Sequence, residues 1–293
     1  MVKSKLTERD ISVLLDVYKY RYLATSQIRD LHFPSPQVAR RRLRTLADLG
    51  LVSHFVVPNT PERIYHLSKK GASAVAYELG LDTSDLLWSK NTHPPKDYYF
   101  MRHFLKTSDF RIALTKACAD SDVDLVGFIP EFYGSKTSSG YVRKYIRDVV
   151  LDISLPSQKI THTPDAVFAL RKGGKSALFF LEIDRGTEVL SNPRAGVYKM
   201  VRYYISYAQS GRFNSFCEDF GCDHFKYFRT LIVTTSMQRL ENMRQAMLAM
   251  PDSLQNSLRF LWVAPDDQVS ESTLFDRIWV SLSPTDDVLH GIN

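Results

Sequence analysis

The sequence predicts an α+β chain in two parts, a small helical module closed by a β-hairpin and a larger α/β domain with a mixed sheet. Three observations predict it. Apolar residues repeat at helical spacing through the first fifty residues and then switch to a period of two. The net charge of the chain is confined to that first part. Further along, strand-like runs follow one another and then alternate with helical stretches, the pattern of a mixed sheet with helices on its faces.

At 293 residues and 44% hydrophobic, the chain exceeds one average domain and can bury a sizeable core. The pattern divides it at 1–82 for the module, 83–106 for a connector and 107–293 for the second domain. The first 80 residues carry 13 Lys and Arg against 7 Asp and Glu, so the formal +6 of the whole chain resides there. The other 213 residues balance at 25 against 25. A basic module beside a neutral domain points to a polyanionic partner. Cys118, Cys217 and Cys222 are too few and too unevenly spaced for a disulfide framework, which argues for a reducing compartment. Cys217, Cys222 and His224 lack a fourth ligand at metal-site spacing. With no apolar leader and no stretch of eighteen apolar residues, a cytoplasmic protein without a membrane partner is expected.

The module reads turn by turn. Thr7 stands before Glu8, Arg9 and Asp10 as an N-cap, and Ile11, Leu14, Leu15 and Tyr18 follow at helical spacing. A second helix starts at the expected cap Thr25, turns Ile28 and Leu31 inward, and breaks at His32-Phe33-Pro34. Ser35 and Pro36 open a third helix, with Val38, Leu43, Leu46 and Leu49 on its apolar side, that ends at Gly50. Gln37, Arg40, Arg41, Arg42 and Arg44 fill its outer side. Leu51 to Val57 and Arg63 to Leu67 then alternate as two strands around a turn at Pro58-Asn59-Thr60-Pro61, and Lys69, Lys70 and Gly71 open a fourth helix to about Leu79.

This order is a winged helix-turn-helix, in which the third helix enters a major groove. Double-stranded DNA is the partner it implies. An Arg-rich face on an isolated helix is as often solvated surface as binding surface; here its position in the motif favours binding. Arg40, Arg41 and Arg44 are the candidates for groove and phosphate contacts, with Arg63, Lys69 and Lys70 on backbone phosphates.

In the second part, Thr92-His93-Pro94-Pro95 marks the connector. A helical pattern runs from Leu105 to Ala119, then a strand from Asp124 to Ile129 and an irregular stretch with Gly134, Ser135, Ser138, Ser139 and Gly140. Strand-like runs follow at Val149 to Leu155, Ala166 to Leu170 and Ala177 to Ile183. After Ser191-Asn192-Pro193 come a helix from about Arg194 to Ala208, a strand from Arg229 to Thr235, a helix from Met237 to Met250 and a strand from Leu258 to Val263.

Acids concentrate in one place. Pro164-Asp165 opens one strand, and Glu182-Ile183-Asp184 ends the next beyond a Gly173-Gly174 turn. Two residues apart on a strand, Glu182 and Asp184 face the same way, and the hairpin brings Asp165 beside them. Three converging carboxylates repel one another unless a divalent cation sits among them, and hard oxygen ligands suit Mg²⁺ or Mn²⁺. Asp165, Glu182 and Asp184 are therefore the expected metal ligands.

These elements resemble the PD-(D/E)XK nuclease superfamily. Pro164-Asp165 matches its first element, and Glu182-Ile183-Asp184 its second except that Asp184 stands where the pattern has lysine. The resemblance implies a metal-dependent nuclease-like domain. Its catalytic residues would be Asp165, Glu182 and Asp184, with Lys199 on the following helix supplying the missing lysine and Glu131 a further acid. The whole layout is similar to the replication-relaxation family of plasmids and integrative elements, to which MobC-type mobilisation relaxases are related. That likeness rests on the Pro164-Asp165 strand, the run Phe180 to Glu188, Lys199 with Tyr203, and Leu231 to Thr235; only Glu-x-Asp-Arg-Gly-Thr-Glu is specific. It implies origin recognition and strand opening or nicking in plasmid replication or transfer, alongside other replication or transfer proteins.

Each candidate has a plainer reading. Asp165 can simply start a strand, while Glu182, Asp184, Arg185 and Glu188 can form an ion-paired loop. Tyr198, Tyr203, Tyr204 and Tyr207 at helical spacing are more often core than nucleophiles toward phosphorus, Tyr203 included. Lys199 can be a solvated helix lysine. The alternative to a nickase is a catalytically inactive DNA-binding initiator or transcriptional regulator, which Asp184 in place of lysine favours.

Overall fold

Caps and apolar spacing set the first helices. Thr7 and Asp10 cap α1 (Glu8–Tyr20) reciprocally: the Thr7 amide donates to Asp10 Oδ2 at 2.6 Å and the Asp10 amide to Thr7 Oγ1 at 3.3 Å. The computed structural model describes residues 6–58, 62–88, 97–136, 142–190, 192 and 195–292. In α2 (Thr25–His32), Thr25 is the first helical residue and not the cap. Gln27 takes over, its Oε1 accepting from the Ala24 amide at 2.9 Å, which frees the Thr25 hydroxyl to donate to the Arg63 carbonyl. Ser35 caps α3 (Pro36–Asp48), which buries Ala39, Leu43 and Leu46.

Strands β1 (Leu23–Ala24), β2 (Val52–Val56) and β3 (Arg63–Leu67) form an antiparallel sheet in the order β1-β3-β2. The expected turn residues Asn59, Thr60 and Pro61 lie outside the described residues. Ser68 caps α4 (Lys69–Leu79), and the core gathers Val13, Leu14, Val17, Leu43, Leu46 and Leu67. At Gly71 a Cβ would lie 1.9 Å from the Leu51 carbonyl oxygen, so only glycine lets α4 cross that backbone. Gly71→Ala is expected to cost about 1–3 kcal/mol, although alanine is the better helix former, and to lower the urea midpoint accordingly.

The chain divides into two compact units, residues 1–112 and 113–293. Of the expected connector, Leu86 is buried in the first core and Trp88 Nε1 donates to the Leu67 carbonyl at 3.3 Å. Thr92, His93, Pro94 and Pro95 lie outside the described residues. Helix α5 (Tyr98–Ala119) starts earlier than the periodicity from Leu105 indicates. Gln27 fixes its beginning to the first unit, its Nε2 donating to the Leu105 carbonyl at 2.9 Å and to Asp109 Oδ1 at 2.7 Å.

The second unit is built on a seven-stranded mixed sheet. Its strands are β4 (Asp124–Pro130), β9 (Ala166–Lys172), β10 (Lys175–Ile183), β11 (Phe228–Thr234), β12 (Leu261–Pro265), β13 (Trp279–Ser281) and β14 (Leu289–His290), adjacent in that order. β4, β9 and β10 pair antiparallel, β10, β11 and β12 parallel, and the last two antiparallel. Between β4 and β9 stand two hairpins, β5 (Gly134–Lys136) with β6 (Val142–Lys144) and β7 (Asp148–Asp152) with β8 (Leu155–His162). The run Val149 to Leu155 is thus two strands, because Asp152 turns the chain by accepting from the Ser154 amide at 2.9 Å. Ser138, Ser139 and Gly140 lie outside the described residues, as do Ser191, Pro193 and Arg194.

Helices α6 (Gly196–Ser210), α7 (Phe216–Asp219) and α8 (Met237–Met247) contribute to a core with the sheet, and the short α9 (Asp252–Gln255) precedes β12. Met250 lies beyond α8, and a 3-10 turn over Leu258–Phe260 stands where the last strand was expected to begin. The tyrosines of α6 are core: Tyr203, Tyr204 and Tyr207 are each at most 2% exposed. No helix of the described residues is long and apolar enough to cross a membrane.

Candidate functional site

On the first unit, α3 turns Gln37, Arg40, Arg41 and Arg44 to solvent, opposite its buried face. Arg42 is not part of this face. Its Nε donates to Asp10 Oδ1 at 2.5 Å and its terminal nitrogen to Asp10 Oδ2, tying α3 to α1. Burial would raise the Asp10 pKa, but the bonds from Arg42 and Thr7 prevail and hold it below the ordinary carboxylate value. Arg63 and Lys69 are exposed at the start of β3 and of α4. Lys70 is also exposed, yet its Nζ donates to the Leu49 carbonyl at 2.8 Å and so caps α3.

On the second unit, the antiparallel pairing of β9 and β10 sets Asp165 beside the end of β10. Its amide donates to the Leu181 carbonyl at 3.1 Å, and its Oδ2 accepts from the Ile183 amide at 2.7 Å. Glu131, just past β4, donates its amide to the Asp165 carbonyl at 2.8 Å, and oxygens of the two carboxylates lie within 4.8 Å. Glu182 is 9% exposed, and its Oε1 accepts from His162 Nε2 at 2.7 Å and from the Tyr204 hydroxyl. Burial raises the Glu182 pKa, the Asp165 charge adds to it, and His162 and Tyr204 only partly oppose them. Burial disfavours the His162 imidazolium, yet the neighbouring carboxylates, Glu182 foremost, outweigh that and raise its pKa.

His162 and Tyr204 are site residues that the sequence pattern does not single out. Their signals are slight: a lone histidine three residues before Asp165, and one tyrosine in an apolar stripe. Asp184 is placed differently from the expectation. The strand ends at Ile183, so strict alternation no longer governs the next side chain. Asp184 Oδ2 accepts from Thr234 Oγ1 at 2.8 Å and from Arg239 Nε at 3.0 Å, and its Oδ1 accepts from Arg239 at 3.1 Å. Arg239 also donates to the Glu188 carbonyl at 2.8 Å, so the part of the Glu-x-Asp-Arg-Gly-Thr-Glu run beyond the strand, Asp184 to Glu188, is a loop clamped by one arginine.

Lys199 stands exposed on α6 and makes no ion pair among the described residues. Tyr203 is 1% exposed and packs its ring 5.1 Å from His162; burial and nearby negative groups push its pKa up, which opposes a nucleophilic role.

The site therefore brings together Glu131, Asp165 and Glu182, with the His162 ring bonded to Glu182, and leaves Asp184 and Lys199 with other surroundings. Glu131 and Asp165 each offer a carboxylate oxygen, a donor that hard divalent cations take. The Replication-relaxation family model matches residues 14–218, a span containing the arginine face and all of these acids. The chain belongs to the Replication-relaxation family. Among solved structures, a mutant MarR from E. coli complexed with operator DNA is 17% identical, covering 36% of this chain and 76% of that one, with a TM-score of 0.25. No curated protein matches the chain.

Proposed function

We propose that this Replication-relaxation protein binds double-stranded DNA at a replication or transfer origin through its winged helix. The observation that carries the reading is the exposed face Gln37, Arg40, Arg41 and Arg44 on α3, from which Arg42 is withdrawn by Asp10. Charges that the fold leaves to solvent on a recognition helix are available to phosphates and guanine edges. Arg63 and Lys69 extend the basic surface to the hairpin and the fourth helix.

Replacing Arg40, Arg41 and Arg44 together with Ala is expected to weaken duplex binding by about a hundredfold or more. The dependence of log affinity on log salt should flatten by roughly 0.9 for each phosphate no longer neutralised. Fluorescence anisotropy on a labelled origin duplex across a salt series measures both. An unchanged slope sinks the recognition-helix reading.

The second unit is read as a PD-(D/E)XK-like domain acting on the bound DNA. Glu131 and Asp165, with Glu182 beside them, would hold Mg²⁺ or Mn²⁺, which when bound supplies an activated water and offsets charge on a phosphodiester. His162 and Tyr204 fix the Glu182 carboxylate in place. A second reading, a DNA-binding platform without cleavage, is favoured by Asp184, whose carboxylate is taken by Arg239 where the nuclease pattern has lysine.

A further inference from the structure

At the other end of β9 and β10, about 20 Å from the carboxylates by strand length, the sheet carries a different chemistry. The Gly173-Gly174 turn, with φ of 54° and 76°, makes Lys172 and Lys175 direct cross-strand partners. Like charges facing each other across a ladder are destabilising, so this hairpin end is improved by an anion. The Asp122 carboxylate, 3.2 Å from Lys172 and itself 74% exposed, offsets only part of that repulsion.

Lys172, Gly174 and Lys175 line an open groove of about 970 Å³ between the hairpin end and the loop before β11, which adds Lys226 and Tyr227. Lys175 and Lys226 are exposed and make no ion pair among the described residues. Arg171 is committed to the fold, donating to Ser176 Oγ and to the Phe220 and Gly221 carbonyls, and Asp223 is an acid on the rim.

Tyr227 gives the groove a stacking face. It is 55% exposed, and the Arg229 guanidinium lies 4.6 Å from its ring centroid. Arg229 in turn lies 5.0 Å from the Trp262 ring, and Trp262 stacks on His290 at 4.6 Å and 6°. An exposed ring held by a stack of cation and aromatics beside lysines is the combination that holds an unpaired strand, because every base offers a π-face and every nucleotide a phosphate.

We propose that the β9–β10 hairpin end and the loop before β11 form a second nucleic-acid surface, one that takes single-stranded DNA. Phosphates sit on Lys175 and Lys226, and a base stacks on Tyr227. The inference is independent of both the arginine face and the carboxylates. A protein that binds an origin duplex on one unit would thereby hold an opened strand on the other.

The test uses the full chain and a labelled oligothymidine in fluorescence anisotropy. Lys175→Glu with Lys226→Glu is expected to lower single-strand affinity about tenfold or more and to reduce the salt slope by roughly 0.7 for each phosphate left without its lysine. Tyr227→Ala should lower it by about tenfold with the salt slope kept. The Arg40→Ala, Arg41→Ala, Arg44→Ala protein, impaired on duplex, should bind oligothymidine as the wild type does. Hairpin and Tyr227 variants that bind oligothymidine normally overturn the proposal, as does loss of single-strand binding in the arginine variant alone.

Discussion

Millimolar Mg²⁺ or Mn²⁺ is expected to raise the melting temperature of the protein, and Asp165→Ala to remove most of that rise. Glu131 and Asp165 bring carboxylate oxygens within 4.8 Å of one another. Two anions at that separation cost free energy that a dication converts into attraction. A ligand that binds the folded state alone stabilises it by mass action, about 2.7 kcal/mol at a hundred times its dissociation constant. Glu131→Ala should behave as Asp165→Ala does. Asp184→Ala should leave the cation response intact while lowering stability, because its carboxylate serves Arg239 and Thr234. On supercoiled plasmid, wild type with Mn²⁺ is expected to accumulate nicked circles and Asp165→Ala to lose at least a hundredfold in rate, on the order of 3 kcal/mol of barrier. A cation-induced rise in melting temperature without nicking selects the platform reading. Melting and cleavage that both ignore millimolar cation end the metal hypothesis.

The parts of this molecule that were legible in its sequence are those fixed by local rules. Thr7 and Ser35 announce their helices by capping chemistry, and the change of period after Gly50 marks the hairpin. Asp165 and Glu182 stand beside each other because an antiparallel hairpin closed by Gly173-Gly174 holds their strands in register. What failed depended on partners distant in sequence. Arg42 looked like Arg41 until Asp10, 32 residues away, claimed it. Asp184 looked like a third ligand until Arg239, 55 residues away, engaged it just past the strand's end. The local signal of His162 is slight, since its partner Glu182 lies 20 residues away at the end of β10. The C-terminal strands β13 and β14 are too short to show a period.

Arg42→Ala is expected to destabilise the first unit more than Asp10→Ala does, although both break the same ion pair. The Asp10 carboxylate is fully buried, whereas the Arg42 side chain is 26% exposed. Removing the arginine leaves a buried anion with Thr7 as its remaining partner, while removing the aspartate leaves a guanidinium that can turn to water and costs α1 the Asp10 half of its capping box, about 1 kcal/mol. Stranding a buried charge costs about 3–5 kcal/mol, and the Thr7 bonds place Arg42→Ala toward the lower end of that range. Asp10→Ala should cost about half as much, and the double variant less than the sum of the two. The pH dependence follows from the sign of the shift. The folded-state pKa of Asp10 is depressed, so its contribution is present above the unfolded value near 3.9 and is lost as pH falls through the folded value. The melting temperatures of wild type and Asp10→Asn should therefore differ at neutral pH and converge in acid; a constant gap contradicts the ion-pair assignment. The same pair separates fold from recognition on one helix. Arg42→Ala should lower stability and leave the salt dependence of duplex binding unchanged at temperatures where the protein is folded. Arg41→Ala should do the reverse, flattening the salt slope at unaltered stability.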